Sequence, residues 1–344
     1  MKILHVVHSN AFYGVERYVA TLATAQSSMG DRVTVIGGNA NAMQAALAAS
    51  SVRFAPGDSI ASVVRSIAHW RHPDVIHAHM TDAELASVVA RRSFGGASCV
   101  VATRHFAQHR GASRFGRLVA PIIGARIDGQ IAISQFVADR IEGASVVIHP
   151  GVPKPPVTDA AERDSTILVA QRLEREKATD VALRAFAMSG LSAKGWRLRF
   201  AGDGGLRSDL KALAGQLGLL GSTEFLGRRD DIPQLMASSS LLLASAPAEP
   251  FGLTVVEAMA AGLPVVAARS GGHLESLPAE ELCHGFEPGD VAAAAHSLRT
   301  LANDEVLRTT LAEAGLARHN AALTPEIQAA ETRVFYVQQI AGRN

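Results

Sequence analysis

Short β-branched apolar runs, each followed by a helix-length alanine-rich stretch, recur along this chain and leave few folds open to it. They read KILHVVHS, RVTVIGG, DVIHAHM, CVVATRH and GQIAIS in the first half. Strands that are apolar throughout must be covered on both faces, and intervening helices supply the crossovers that parallel strands need. The expected architecture is a doubly wound α/β domain. After HPGVPKPPV, residues 149–157, the pattern restarts with STILVAQ, WRLRFAGDG, STEFLG, LLLASA and PVVAARSGG. Four prolines in those nine residues exclude a helix or a central strand, so the stretch reads as a stiff connector. The expected division is 1–153, 154–323 and a last helix over 324–344. That helix has Thr324 as N-cap and Pro325 at its first position, and is long enough to leave the second domain and pack on the first.

Bulk properties narrow the class further. With 344 residues, 48% apolar and 19% charged, the chain can bury two cores, which rules against disorder and fibres. Its two cysteines, Cys99 and Cys283, have no metal-like spacing and suit a reducing cytoplasm. MKILHVVHS reads as a first strand rather than a signal peptide, and no apolar run is long enough to span a bilayer. Residues 1–153 hold 14 Lys and Arg against 9 Asp and Glu, whereas the rest hold 19 against 23. Two halves with opposite charge balance suit two domains, and the near-neutral total argues against nucleic acid as a partner.

In open α/β sheets ligands bind beyond the carboxyl ends of the strands, so the stretches just after strands carry the chemistry. EPFGLTVVEAMAAGLPVV, residues 249–266, is one of them. Pro250 keeps Glu249 out of the helical conformation, so the helix begins after it, and Gly262 with Pro264 marks its end. Phe251, Gly252 and Leu253 then offer free N–H groups at a helix start, a place for a phosphate or a sugar hydroxyl. Glu257 lies just over one turn inside a very apolar helix, where a carboxylate needs a partner. The plainer reading makes Glu249 a complement to the helix dipole and Glu257 part of a solvated face.

AQRLEREKA follows the strand STILVAQ, with Arg172 and Lys177 placed to hold a diphosphate, the first as a fork and the second as a point charge. An ordinary exposed charge run is the other reading. AGDGG at 201–205 has Arg207 where a dinucleotide fingerprint needs its third glycine, and neither a Walker loop nor GxSxG occurs. In the first half Gly14 allows close backbone approach at a helix start, with Val15, Val19, Leu22 and Ala23 as its buried stripe. His77 and His79 end one strand, and His105 and His109 follow another. The pair four apart is compatible with zinc, although no adjacent carboxylate completes a ligand set; the other readings are backbone-bonded histidines and contact with a substrate hydroxyl. Between Glu84 and Asp128 the chain carries Arg91, Arg92, Arg104, Arg110, Arg114, Arg117 and Arg126 and no acid. That stretch suits anionic lipid headgroups or a phosphorylated acceptor, or else is a solvated face.

Together these stretches resemble the retaining glycosyltransferases of family 4, which have the GT-B fold of two Rossmann-like domains facing a cleft. The resemblance rests on the glutamate, seven residues, glutamate pattern of Glu249 and Glu257. AQRLEREKATDVALRAFA, LRFAGDGGLRSDL, EFLGRRDDIPQLMASSS, SGGHLES, GVERYVATLA, DVIHAHM, AISQFVADRI and VIHPGVP follow in the family's order. It implies that Arg172 and Lys177 bind the donor diphosphate and that Glu257 accepts from the ribose. It also implies that Glu249 and the amides of Phe251 to Leu253 meet the transferred sugar and phosphate. Gly14 and His105 would close over the donor, and Arg228 in GRRDD would lie near the base. Departures from the family pattern gather at the diphosphate site, where Gln171 and Ala178 stand in place of glycines, and around the strand LLLAS, where Ser240 and Ala244 stand in place of an Asp and a Pro.

The resemblance implies a cytoplasmic transferase, free or peripheral at the membrane, that moves a sugar from a nucleoside diphosphate to a glycan, lipid-linked or small-molecule acceptor. No DxD pair is present, and no metal or other cofactor is expected. An epimerase or hydrolase on the same fold, or a binding protein without catalysis, stands as the alternative.

Overall fold

The computed structural model describes residues 1–70, 72–92, 98–111, 120–155 and 163–343. The chain divides into two units, Met1–Val152 with Ala322–Asn344, and Pro153–Ala321.

Seven parallel strands form the sheet of unit 1: β1 (Lys2–Val7), β2 (Arg32–Ile36), β3 (Arg53–Ala55), β4 (Val75–His79), β5 (Cys99–Arg104), β6 (Gly129–Ala132) and β7 (Val146–Val147). Their order is β3-β2-β1-β4-β5-β6-β7, so the winding reverses between β1 and β4. Side chains alternate across the sheet. Leu4, Val6, Ile76, Ala78 and Val100 go to one face and pack with Val63 and Ile67 in an apolar core. On the alternating positions stand His5, His77, His79 and Thr103, with His5 in register with His77 and His79 with Thr103. Helix Gly14–Ser28 and the last helix, Pro325–Ala341, supply the Gln26 and Tyr336 side chains that reach these histidines. Thr324 caps the last helix through Oγ1, and Gly129 leaves room for its Phe335 and Gln339.

Unit 2 holds β8 (Asp164–Ala170), β9 (Arg197–Ala201), β10 (Thr223–Gly227), β11 (Ser239–Ala244) and β12 (Val265–Ala267), all parallel, in the order β10-β9-β8-β11-β12. The reversal here falls between β8 and β11. Ile167, Val169, Leu198, Phe200, Leu241 and Leu243 are fully or almost fully buried in its core, against Phe186. Each such side chain contributes about 2 kcal/mol by leaving water. Of the strands expected from the sequence all ten are present. β3 and β7 are additional, and with three and two residues at the sheet edges they are too short to show a period.

The arginine stretch takes a different form from a basic surface. Arg110 is buried, with Nε 2.5 Å from Glu84 Oε2, Nη1 2.7 Å from Glu142 Oε1 and Nη2 2.9 Å from Gln130 Oε1. Arg104 is buried too and donates to Glu142 and to the carbonyl of Gln108. Arg91 pairs with Asp128 at 2.7 Å. The acid-free stretch thus draws its counter-ions from residues on either side of it. Burial works to raise the Glu142 carboxyl, but backbone hydrogen bonding, Arg104 and Arg110 outweigh it and hold it at about 2. Arg114 and Arg117 lie outside the described residues.

Candidate functional site

At the reversal of the unit 2 sheet, the loops after β8 and β11 leave adjacent strands toward the same edge. This is where ligands of open α/β sheets bind. Lys177 comes from the first loop and Glu249 from the second, and Lys177 Nζ donates to Glu249 Oε2 at 2.5 Å. Both side chains are about one-fifth exposed, at 18% and 21%, so the pair is neither free in solvent nor sealed from a ligand.

The β8 loop is held from three sides. Gln171 Nε2 reaches the Lys177 carbonyl, Thr179 Oγ1 and Ser245 Oγ at 3.0–3.2 Å, and Ser245 Oγ donates to the same carbonyl. Ala178 sits at φ 45°, ψ 45°, in the left-handed region that glycine adopts without strain. Gln171 and Ala178 therefore keep the loop's shape with side-chain bonds and some strain, where the family pattern has glycines. Glu174 accepts from the Gly205 amide, and a Cβ at Gly202 or Gly204 would strike the carbonyls of Gln171 or Leu173. AGDGG thus works as a backbone seat for the β8 loop. Arg172 points elsewhere: it is 63% exposed and paired with Glu176 at 2.8 Å.

The β11 loop ends in helix Leu253–Ala260, whose N-cap Gly252 has φ 90° and no side-chain cap. No N-cap side chain competes with a ligand oxygen for the Leu253 and Thr254 amides, whereas the Val255 amide already donates to Gly252 O at 2.9 Å. At the other end Gly262, φ 62°, closes a Schellman turn, with Leu263 N–H donating to Ala258 O and Gly262 N–H to Met259 O. Phe251 is buried, anchoring the loop from below, and Glu257 is half-buried between fully buried Val256 and Ala258. The SGG turn lies directly against this loop. Gly272 N–H donates to Glu249 O at 2.8 Å, and a Cβ at Gly272 would come within 2.2 Å of Phe251 Cα.

His273 belongs to the site, and sequence reasoning missed it. It is buried, its Nδ1 donates to Ala268 O at 3.0 Å, and a Cβ at Gly252 would lie 3.0 Å from its Nε2. Burial lowers its pKa, against the Ala268 hydrogen bond and the Glu249 charge, so the ring is neutral with its lone pair toward Gly252. The signal was present in SGGHLES, a histidine directly after a glycine pair that follows a strand. Arg228 is exposed in the loop after the edge strand β10, two strands away from β8.

In unit 1, Gly14 opens the helix after β1, whose capping box joins Tyr13 and Glu16; Val15 is only half-buried, whereas Val19, Leu22 and Ala23 are buried. His105 is buried just beyond β5, with Nε2 3.1 Å from His79 Nδ1, whereas His109 is 76% exposed and lies against Glu142. Side chains rather than backbone carbonyls satisfy these histidines. His5, His77 and His79 bring ligand atoms within 4.8 Å of one another and could hold a metal. All six of their ring nitrogens already have protein partners within 3.1 Å, which a cation would displace.

Two family models match this chain in turn. Residues 154–318 match glycosyl transferases group 1, and residues 12–154 match glycosyltransferase family 4. Over 154 residues it is 38% identical to an exopolysaccharide phosphotransferase of Streptomyces coelicolor, covering 43% of this chain and 16% of that protein. Over 121 residues it is 36% identical to sulfoquinovosyl transferase SQD2 of Arabidopsis thaliana, covering 34% of this chain and 23% of that one. The matches span less than a quarter of the length of either relative. Among solved structures, HepE of Anabaena, in complex with UDP and glucose, has a TM-score of 0.78 over 97% of this chain and 99% of that one, at 22% identity. At that identity the likeness is one of fold.

Proposed function

Because this chain belongs to the group 1 glycosyltransferases and has their GT-B fold, we propose that it transfers a sugar from a nucleoside diphosphate to an acceptor hydroxyl, with retention and without a metal. The carrying observation is the Lys177–Glu249 pair at the β8–β11 reversal, beside an uncapped helix start.

A lysine ammonium has three donors, so Lys177 can keep Glu249 and still donate to a diphosphate oxygen. Cleavage of the bond between the anomeric carbon and the diphosphate builds positive charge on the sugar and negative charge on the leaving group. Lys177, Arg172 turned from Glu176, and the amides of Phe251, Gly252 and Leu253 stabilise the second of these. Glu249 accepts from hydroxyls of the transferred sugar, and Glu257 accepts from the ribose. The acceptor oxygen forms the new bond on the face that the diphosphate leaves, and its proton passes to the departing phosphate oxygen. The base lies toward Arg228, on the order of 10 Å from β8 at two strand spacings. Gly14 and His105 are assigned to the donor by the family resemblance alone.

The HepE complex with UDP and glucose supports a nucleotide-sugar donor, and the acceptor is a glycan, lipid-linked or small-molecule hydroxyl. Among the described residues no helix is long and apolar enough to cross a membrane. Of the arginine stretch, exposed Arg92 and half-buried Arg126 beside exposed Ile122 are left for a peripheral lipid contact.

The test is a panel of UDP-, GDP- and ADP-sugars, with EDTA and without it. Binding is followed by thermal shift and turnover by release of the nucleotide. One donor is expected to raise Tm and to turn over in EDTA. Tight binding with no turnover on any acceptor rejects the transferase, and loss of turnover on chelation rejects the metal-free mechanism.

A further inference from the structure

We propose that His79 and His5 are positioning residues that hold His105 as its Nε2–H tautomer, so that Nδ1 keeps a lone pair to accept from a hydroxyl of the bound sugar. The proposal rests on the reading of His105 as a donor-sugar contact and goes beyond it, because it says which atom makes the contact and what fixes that atom's state.

Four imidazoles and a glutamine form one continuous path on the polar face of the unit 1 sheet. His105 Nε2 lies 3.1 Å from His79 Nδ1, His79 Nε2 lies 3.0 Å from His5 Nδ1, and His5 Nε2 lies 2.7 Å from Gln26 Oε1. The fourth ring, His77, branches from the far end, since Gln26 Nε2 donates to Tyr336 OH, which is 2.6 Å from His77 Nδ1. His77 Nε2 then meets Thr103 Oγ1 at 2.6 Å. Strand register makes the path: His5, His77, His79 and Thr103 alternate onto one face of adjacent strands, and His105 continues it one step past β5.

A neutral imidazole has one donor and one acceptor, so a chain of them has a direction. Burial keeps all four rings neutral, with His5 lowered to about 4 and His105 to about 3, and His77 and His79 lowered well below the usual histidine value. Gln26 sets the direction, because its carbonyl oxygen faces His5 and can only accept. His5 then carries its proton on Nε2 and accepts at Nδ1. His79 must donate from Nε2 and accept at Nδ1, which places the His105 proton on Nε2. Among the described residues, Nδ1 of His105 has no hydrogen-bond partner. The ring that follows β5 is thereby prepared as an acceptor by a residue three links away.

Two-bond 1H–15N correlation on the full chain labelled with 15N-histidine reads the tautomers directly. His105 is expected wholly as Nε2–H. His79→Phe should give a tautomer mixture and lower kcat about tenfold or more with the donor KM nearly unchanged, by analogy with the large cost of a wrong tautomer elsewhere. His79→Gln, which can accept from His105 and donate to His5, should restore both. A wild-type His105 protonated at Nδ1, as a reversed Gln26 amide would require, overturns the proposal. So does a His79→Phe protein that keeps pure Nε2–H. If the variants do not fold, the wild-type spectrum decides alone. UDP-glucose and GDP-mannose are then added. A donor that binds by thermal shift yet leaves the His105 resonances unmoved overturns the donor contact, while the tautomer result stands.

Discussion

Lys177 Nζ lies 2.5 Å from Glu249 Oε2, although 72 residues separate them and each comes from the loop after a different strand. The contact exists because β8 and β11 are neighbours at the point where the sheet order reverses. Lys177→Met removes the cation that would meet the leaving diphosphate. The expected loss is about 3 kcal/mol of transition-state stabilisation, about a hundredfold in kcat. Glu249→Gln keeps an acceptor and loses less, and the double variant should fall short of the sum because the two groups touch. A kcat for Lys177→Met within threefold of the parent removes Lys177 from the chemistry.

Gly252 is required twice over. At φ 90° a Cβ is strained, and it would lie 2.7 Å from His273 Cδ2. Gly252→Ala should destabilise by about 2 kcal/mol and weaken nucleotide binding, read from urea midpoints and titration. Adding His273→Ala relieves the collision but not the strain, so the pair should be less harmful than the sum of its parts. Strict additivity would mean that the two side chains do not meet.

Ala178 holds a left-handed conformation that glycine adopts freely. Ala178→Gly should therefore raise stability by about 1 kcal/mol, seen as a higher urea midpoint at unchanged slope. Thr179→Ala and Gln171→Ala should lower it, since both remove bonds that hold the same turn. A destabilised Ala178→Gly protein would show that the methyl's packing outweighs the strain.

Glu281 makes the fold lose stability as pH rises from mildly acid values to about 8. Burial above all raises its carboxyl to about 8, against the Val265 N–H that donates to Oε1 at 3.0 Å and with help from Glu280. Below about pH 4.5 both folded and unfolded states are protonated and nothing is lost. Between about 4.5 and 8 the unfolded chain ionises first, so stability falls as pH rises, by a total on the order of 4 kcal/mol. Glu281→Gln keeps the acceptor for Val265, and should match the parent at pH 4 and exceed it at pH 8. Parallel stability curves for the two proteins would contradict this.

The strands and their order of appearance were legible because continuous apolar runs between alanine-rich helices are compatible with few folds besides a covered parallel sheet. The start and end of helix Leu253–Ala260 were legible for a local reason, since Pro250 keeps Glu249 out of the helical conformation and Gly252 and Gly262 permit the left-handed backbone found at its two ends. What escaped the sequence depends on pairing between distant segments. Nothing in HVVHS marks His5 as the register partner of His77. The arginine stretch looked uncompensated because Glu84, Asp128 and Glu142 lie outside it in sequence and beside it in space. His273 was hidden because its place is set by a glycine turn pressed against the backbone of Glu249 to Phe251. The sequence also could not show that Arg172 turns to Glu176, a choice between two acids that only the loop conformation makes.

Tyr336 reaches the histidine path of unit 1 from the last helix, whose residues are made after all of unit 2. On the ribosome, residues 1–152 can emerge and pair their strands, yet His77 lacks its phenol partner until that helix has been made. The middle of the chain can complete its own core while the earlier part still waits. Synthesis order and assembly order therefore run in opposite directions here, and of the two units the one translated first is the last to be sealed.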